Sequence, residues 1–542
     1  MSLRGRKSRE GVSQSVQKRL VGGASVLAIG SIVAKLIGAL YRIPLTNILG
    51  AEGMGMYQLV FPVYALFMTL STAGIPTALS RIVAERRAMG ESAKKYLSSA
   101  LLLLATMSTL FALLTFGLAK PLAKWQGNAQ TYGGFMVIAP SIILVGIIAG
   151  FRGWFQGEMN MLPTAVSNII EQLVKLGVGI GLAIALMPKG LIYAVYGALF
   201  GVTISEFCAL VYLVFAYLLK GREKNAVRAR LNRDETREMM RVVFNTAFVA
   251  ILMPLANFFD SIIIVNMLKL SGMESSVATA QYGLLFGPVN SFINMPIVLI
   301  MSLAVAIVPS VSMSRVQRDV DTIMLKSRLS IKIAYLLGIP FAFFFAVFAK
   351  SILSVIYPTL DANQLIIASN LLQIVSANVV LMSSAQIYIS LLQALDKTKY
   401  AILSLVCAII VKVSLSLLLT RYVGILGSAI ASVCMAVVSL AGVNFAYFKI
   451  CGLHLEKNVA LNLLSGVIMS VCGMLIVAFV DNKYVCLIVG ALVCITVYVW
   501  LIFLLNLIEK DDIVYMPAKR ILFKLHRLIR FWEYKNEGNE IG

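Results

Sequence analysis

Seven ionisable residues sit deep inside long apolar stretches: Lys35, Arg42, Glu171, Lys175, Glu206, Asp260 and Lys412. At the centre of a membrane-spanning helix each charge costs at least ~2.5–3.5 kcal/mol, so such residues face a bundle interior or a wet cavity. Lys35 and Arg42 lie seven residues apart in "SIVAKLIGALYRIPLTNILG" (31–50), on one helical face that also carries Gly38 and Ala39. Those small neighbours leave room for another helix or a ligand. Asn168, Glu171, Gln172 and Lys175 fall at i, i+3, i+4 and i+7 and form one polar stripe. Within it Glu171 is expected to pair with Lys175. The deep set holds four cations against three anions, so pairing between helices does not neutralise it. Lysine brings a point charge, and arginine a fork that matches phosphate. The chemistry implied is the holding of an anionic, phosphate-bearing cargo by Lys35, Arg42, Lys175 and Lys412, with Asn168 and Gln172 as polar neighbours. Asp260, Glu171 and Glu206 are candidates for charge pairing or for binding a proton or sodium ion. The bland alternative is that the charges only glue helices together.

These residues need a membrane-spanning scaffold. The 542-residue chain is 59% hydrophobic and 13% charged, with mean hydropathy +0.88. Soluble domains average about 25% charged residues. The apolar runs are continuous rather than alternating, and a helix needs about 20 apolar residues to cross hydrocarbon. An all-α polytopic membrane protein with fourteen spans is predicted, at 24–49, 54–80, 96–119, 132–154, 161–187, 190–219, 242–268, 278–313, 333–349, 364–394, 399–420, 424–448, 458–480 and 484–508. The eighth is too long for one straight crossing, and Pro288, Pro296 and Pro309 predict kinks in it. Further polar positions lie in span seven (Asn257, Ser261), span eight (Asn290, Asn294) and span ten (Gln373, Ser376, Gln386).

The formal charge of +22 follows from topology and requires no nucleic acid. Loop cations cluster at 81–95, 220–241, 315–332 and in the tail, whereas the alternate loops carry mostly single ones: Lys189, Lys269, Lys350, Arg421 and Lys483. Positive loops stay inside, so both termini are expected in the cytoplasm. The basic head (Arg4, Arg6, Lys7, Arg9, Lys18, Arg19) runs straight into a full-length span, so no cleavable signal peptide is expected. The seven cysteines form no CxxC pair and read as packing residues, and His454 and His526 stand alone. No metal or cofactor is expected. The tail "KRILFKLHRLIRFW" (519–532) reads as an interfacial anchor.

The charged stretch 220–241 divides two halves that look duplicated. "MYQLVFPV" (56–63) answers to "QYGLLFGPV" (281–289), and Pro76 through Ser80-Arg81 to Pro309 through Ser314-Arg315. Gln156, Ser167 and Lys175 recur 237 residues later as Gln393, Ser404 and Lys412. The expected organisation is a basic segment (1–23), a six-helix lobe (24–219), a linker (220–241), a second six-helix lobe (242–448), a C-terminal helix pair (458–508) and a basic tail (509–542). Both halves start from the cytoplasmic side, so the repeat is parallel, about an axis along the membrane normal. A central cavity between pseudo-symmetric lobes is expected.

The stretch "GSIVAKLIGALYRIPLTNILGAEGMGMYQLVFPVYALFMTLSTAGIPTALSRIVAE" (30–85), with its G-x-x-G-x-Y and I-P-x-A-x-S-R patterns, resembles the polysaccharide-biosynthesis and stage V sporulation protein B group. That group belongs to the multidrug/oligosaccharidyl-lipid/polysaccharide (MOP) exporter superfamily, and the resemblance covers most of the chain. It implies a V-shaped pair of lobes that flips undecaprenyl-pyrophosphate-linked sugars, lipid II among them, across the bacterial cytoplasmic membrane by alternating access. It implies cavity-lining cations in the first helix, where Lys35 and Arg42 stand. It also implies that the last helix pair faces the lipid tail. The expected partners are a lipid-linked oligosaccharide, membrane lipids and a proton or sodium ion, with the protein acting as a monomer that makes and breaks no bonds. The alternative is a cation-coupled multidrug exporter of the same superfamily. It predicts an acid-dominated cavity and usually twelve spans.

Overall fold

A computed structural model describes residues 3–72, 74–219, 233–305, 308–452, 458–509, 512, 523 and 524. The linker cations up to Arg230, His454, His526 and nearly all of the 519–532 anchor lie outside these residues. Among the described residues there are helices and turns and no strand. Thirteen helical stretches among the described residues are long and apolar enough to cross a membrane. The first, Gly30–Ala88, runs 59 residues. At 1.5 Å per residue that is about 90 Å, against a hydrocarbon core of about 30 Å, so it holds two crossings. The break falls at Gly50, whose φ of 65° and ψ of −174° interrupt the helix between the two predicted spans. Fourteen crossings result among the described residues.

The chain divides into two compact units that meet between Gly287 and Pro288. The first contains α1 (Leu3–Thr72), α2 (Ile75–Ala88), α3 (Lys94–Gly117), α4 (Ala119–Trp125), α5 (Tyr132–Gly157), α6 (Leu162–Val174), α7 (Ile180–Leu186), α8 (Leu191–Leu219), α9 (Arg233–Leu270) and α10 (Ser275–Leu284). A π-turn at Lys175–Gly179 joins α6 to α7, and a second, Leu285–Val289, spans the division. The second unit contains α11 (Asn290–Val305), α12 (Val308–Gln317), α13 (Val320–Ile356), α14 (Ala362–Val375), α15 (Asn378–Ala394), α16 (Thr398–Val423), α17 (Ile425–Cys451), α18 (Val459–Phe479) and α19 (Lys483–Leu504). Predicted span eight is thus π-turned at Pro288, and its described part continues as α11 and α12, with Pro309 in the first turn of α12.

Without a hydrophobic drive between helices in lipid, close packing needs small residues. On α5, Gly146 and Gly150 meet Ser108 and Leu101 of α3, while Gly153 and Gly157 meet the α2 backbone at Pro76 and Ser80. α1 crosses α10 backbone to backbone. A Cβ on Gly55 would stand 2.0 Å from the Thr279 carbonyl oxygen, and one on Gly283 would stand 2.1 Å from that of Ala51. The α4–α5 connection adds polar ties to α9 and α10. Gln126 Nε2 donates to the Leu59 carbonyl (2.8 Å) and to Ser261 Oγ (2.9 Å). Asn128 Nδ2 donates to Thr279 Oγ1 (3.0 Å), and Lys269 Nζ and Ser275 Oγ both donate to the Gly127 carbonyl. These contacts explain why α9 and α10 pack with the first six spans, so that the packing division falls beyond the 220–241 linker.

The duplication has a structural counterpart. The α5–α6 and α15–α16 turns each place one residue at positive φ, Met159 (56°) and Asp396 (59°), again 237 positions apart. Both close through matching backbone bonds, Asn160 N–H to the Phe155 carbonyl and Lys397 N–H to the Leu392 carbonyl. In the second unit α18 and α19 lie on α13, with Gly466 against Ile339 and Phe343, and Gly473 and Gly490 against Phe348. A buried ion pair between Lys332 of α13 and Asp512 ties the chain beyond α19 to that helix.

Candidate functional site

The candidate site grows from the approach of α1 to α6. A Cβ on Gly30 would lie 2.6 Å from Ala165 Cβ, and one on Gly38 would lie 2.8 Å from Gln172 Oε1. The two glycines, eight residues apart, let α6 lie against α1 and bring its polar stripe beside Tyr41 and Arg42. Tyr41 is buried and Arg42 half-buried, whereas Lys35 is exposed. Asn168 and Gln172 are half-buried on the stripe.

Glu171 is the centre of the network. Its Oε2 accepts from Arg152 Nη2 at 3.1 Å and its Oε1 from Gln172 Nε2 at 2.8 Å. Arg152 Nε also donates to Ser167 Oγ at 3.1 Å, and that hydroxyl donates to the Thr164 carbonyl. Both carboxylate oxygens are therefore engaged by groups other than Lys175. The expected Glu171–Lys175 pair is replaced by a Glu171–Arg152 pair. Lys175 instead opens the π-turn, and its ammonium stands 5.8 Å from the centre of the Tyr41 ring. That distance permits a cation–π contact, worth ~0.5–2 kcal/mol by type. Lys175 makes no ion pair among the described residues, although Glu171, Glu206 and Arg42 all lie within electrostatic reach.

Glu206 of α8 closes the cluster. It is 5% exposed, and its Oε2 has no hydrogen-bond partner. Tyr64 and Ser141 line the same region. Three cations, Arg42, Arg152 and Lys175, thus share one intramembrane neighbourhood with two acids, Glu171 and Glu206. Among these five groups the cations outnumber the acids by one.

Sequence reasoning missed Arg152. Arg152 lies two residues inside the expected end of span four at 154 and was not among the deep charges. The helix runs to Gly157, and Phe151, Trp154 and Phe155 around the arginine are buried. The flanking aromatics and glycines in "GFRGWFQG" (150–157) were the available signal.

The other candidates lie elsewhere. Asp260 of α9 is wholly buried in a different neighbourhood, beside Tyr282 and next to the Ser261 that receives Gln126. Lys412 belongs to the second unit, on α16, where it is 7% exposed on a face shared with buried Ser416 and Thr420. Among the described residues no group of three His, Cys, Asp or Glu side chains has metal-binding geometry.

Comparison with known proteins assigns the scaffold. The family described as polysaccharide biosynthesis protein matches residues 20–315. The chain belongs to the polysaccharide biosynthesis protein family. Its match contains every candidate residue except Lys412. Stage V sporulation protein B of Bacillus subtilis (strain 168) is 26% identical over 512 residues, covering 91% of this chain and 97% of that protein. Lipid II flippase MurJ of the same organism is 24% identical over 461 residues, covering 78% and 82%. Among solved structures, a lipid II flippase MurJ in an inward closed conformation matches with TM-score 0.71 at 14% identity, over 88% of this chain and 97% of that one. An inward-facing MATE family multidrug resistance transporter of the MOP superfamily matches with TM-score 0.65 at 16% identity, over 78% and 98%. This member of the polysaccharide biosynthesis family is therefore a multi-pass membrane protein with the MOP superfamily fold.

Proposed function

We propose that this protein flips an undecaprenyl-pyrophosphate-linked oligosaccharide across the bacterial cytoplasmic membrane, with both termini in the cytoplasm and the monomer as the working unit. The observation that carries the reading is the positive balance of the α1–α5–α6–α8 cluster, in which Glu171 is held by Arg152 and Lys175 makes no ion pair among the described residues. In this reading Arg42 and Lys175 hold the pyrophosphate. Lys35 delivers it from the exposed side of α1. Asn168 and Gln172 solvate the first sugar. The prenyl chain stays in lipid, and the two six-helix repeats alternate in access. No bond is made or broken. Family membership and the names of the relatives support the cargo class.

Coupling is assigned to Glu206, whose partnerless Oε2 is completed by a proton or a sodium ion. That same feature, with the MATE likeness, favours a second reading in which a soluble cationic drug is exported in exchange for the ion. The cluster charge argues against it, because a cationic drug would meet net positive charge. The test is reconstitution in proteoliposomes with a fluorescent prenyl-pyrophosphate-linked sugar, reading its appearance in the opposite leaflet. Lys35→Ala/Arg42→Ala is expected to lose translocation while inserting normally. Unchanged translocation in that variant removes the assigned role of α1.

A further inference from the structure

We propose that Arg152 is a positioning residue: by occupying Glu171 it keeps the Lys175 ammonium available to an anionic headgroup. This rests on the reading that Lys175 meets the cargo. On one helix a glutamate four residues before a lysine is the favourable order for an ion pair. Left alone, the pair would close and silence the lysine. The structure shows why it does not. Arg152, arriving from α5, takes Oε2, and Gln172 takes Oε1. Ser167 fixes the guanidinium by its Nε, and the Thr164 carbonyl fixes Ser167. The arginine cannot swing toward the cargo without breaking two bonds, and both it and Glu171 are mostly covered, at 20% and 17% exposed. The Lys175 N–H still bonds to the Glu171 carbonyl, and the π-turn begins only at Lys175, so the two side chains keep the spacing of a pair and the arginine is what holds them apart. The remaining acid that faces Lys175, Glu206, makes no ion pair with it among the described residues.

The experiment uses full-length protein in detergent, with farnesyl pyrophosphate as the probe and farnesol as its neutral counterpart. Lys175→Ala should weaken farnesyl pyrophosphate about tenfold and leave farnesol unchanged. Arg152→Met frees Oε2 for Lys175, and should weaken the pyrophosphate by a similar factor. Arg152→Lys, which still neutralises Glu171, should stay within about threefold of wild type. Arg152→Met/Glu171→Gln has lost the arginine but also the competitor, and should return to within about threefold of wild type. Glu171→Gln alone should bind at least as tightly as wild type, and it supplies the same comparison if Arg152→Met does not fold. A double variant as weak as Arg152→Met, an Arg152→Met variant that binds like wild type, or a Glu171→Gln variant that binds tenfold more weakly overturns the inference. A silent Lys175→Ala overturns the underlying reading of the site instead.

Discussion

The α1–α10 crossing offers a prediction whose size follows from geometry. Gly283→Ala adds one methyl group, whose carbon would stand 2.1 Å from the Ala51 carbonyl oxygen and 2.5 Å from the Gly55 nitrogen. Both are backbone atoms, so no side-chain rotation can relieve the overlap. α10 must retreat from α1 by about 1 Å, and overpacking of this kind costs ~1–3 kcal/mol or more. Retreat also stretches the ties at the same crossing, such as Asn128 Nδ2 to Thr279 Oγ1 at 3.0 Å. The control is Gly181→Ala on α7, where an added Cβ meets nothing within 4 Å. There alanine should stabilise by up to about 1 kcal/mol through helix propensity. The assay is the fraction of protein that stays monodisperse in detergent after stepwise heating. Gly283→Ala should lose monodispersity several degrees below wild type and Gly181→Ala at or above it. Equal behaviour of the two alanine variants would refute the packing argument.

Further outcomes are expected. Gln126→Leu leaves the buried Leu59 carbonyl and Ser261 hydroxyl without their donor, and should cost ~1–3 kcal/mol in the same heating assay. Asn128→Leu should behave alike, since its bond to Thr279 serves the same connection. Lys332→Met leaves Asp512 as a buried uncompensated charge, a loss of ~3–5 kcal/mol by type. Limited proteolysis should then cut sooner after α19, and Lys332→Met/Asp512→Leu should restore resistance. Asp319 caps α13 by accepting from the Thr322 N–H at 3.0 Å, and its hydrogen bonds to Thr322 hold its carboxyl below the usual value of 3.8. A carboxyl depressed in the fold stabilises above its unfolded value and loses that contribution as pH falls through the folded one. The first turn of α13 should therefore fray only below about pH 3.8, seen as faster amide exchange at Thr322 after correction for intrinsic rate.

The sequence made the spans readable because each buries apolar side chains over a full hydrocarbon thickness. Gly50 marked the break in the first long helix, and Pro288 the π-turn in the eighth span. The 237-residue repeat was visible in Gln156, Ser167 and Lys175, and the matching turns at Met159 and Asp396 show what it encodes. The pairing of charges was not readable. Local spacing joins Glu171 to Lys175, but Arg152 comes from 19 residues upstream across a helix turn, and only packing of α5 on α6 brings it to the carboxylate. The packing division at Gly287 was hidden for the same reason. It depends on Gly55, Gly283 and the Gln126–Asn128 connection, which join elements more than 130 residues apart. Nor did composition reveal that Lys35 is exposed while Arg42, seven residues on, is half-buried, because that difference depends on where α6 covers α1.

The central claim is that a membrane-buried, net positive site receives a lipid pyrophosphate. Its most direct measurement compares two cargoes in proteoliposomes bearing wild-type protein and Arg42→Ala/Lys175→Ala. Wild type should translocate a fluorescent prenyl-pyrophosphate-linked disaccharide and ignore a lipophilic cation such as ethidium, and the double variant should move neither. Movement of ethidium by the wild type without movement of the pyrophosphate-linked sugar, or undiminished sugar translocation by the double variant, would contradict the account.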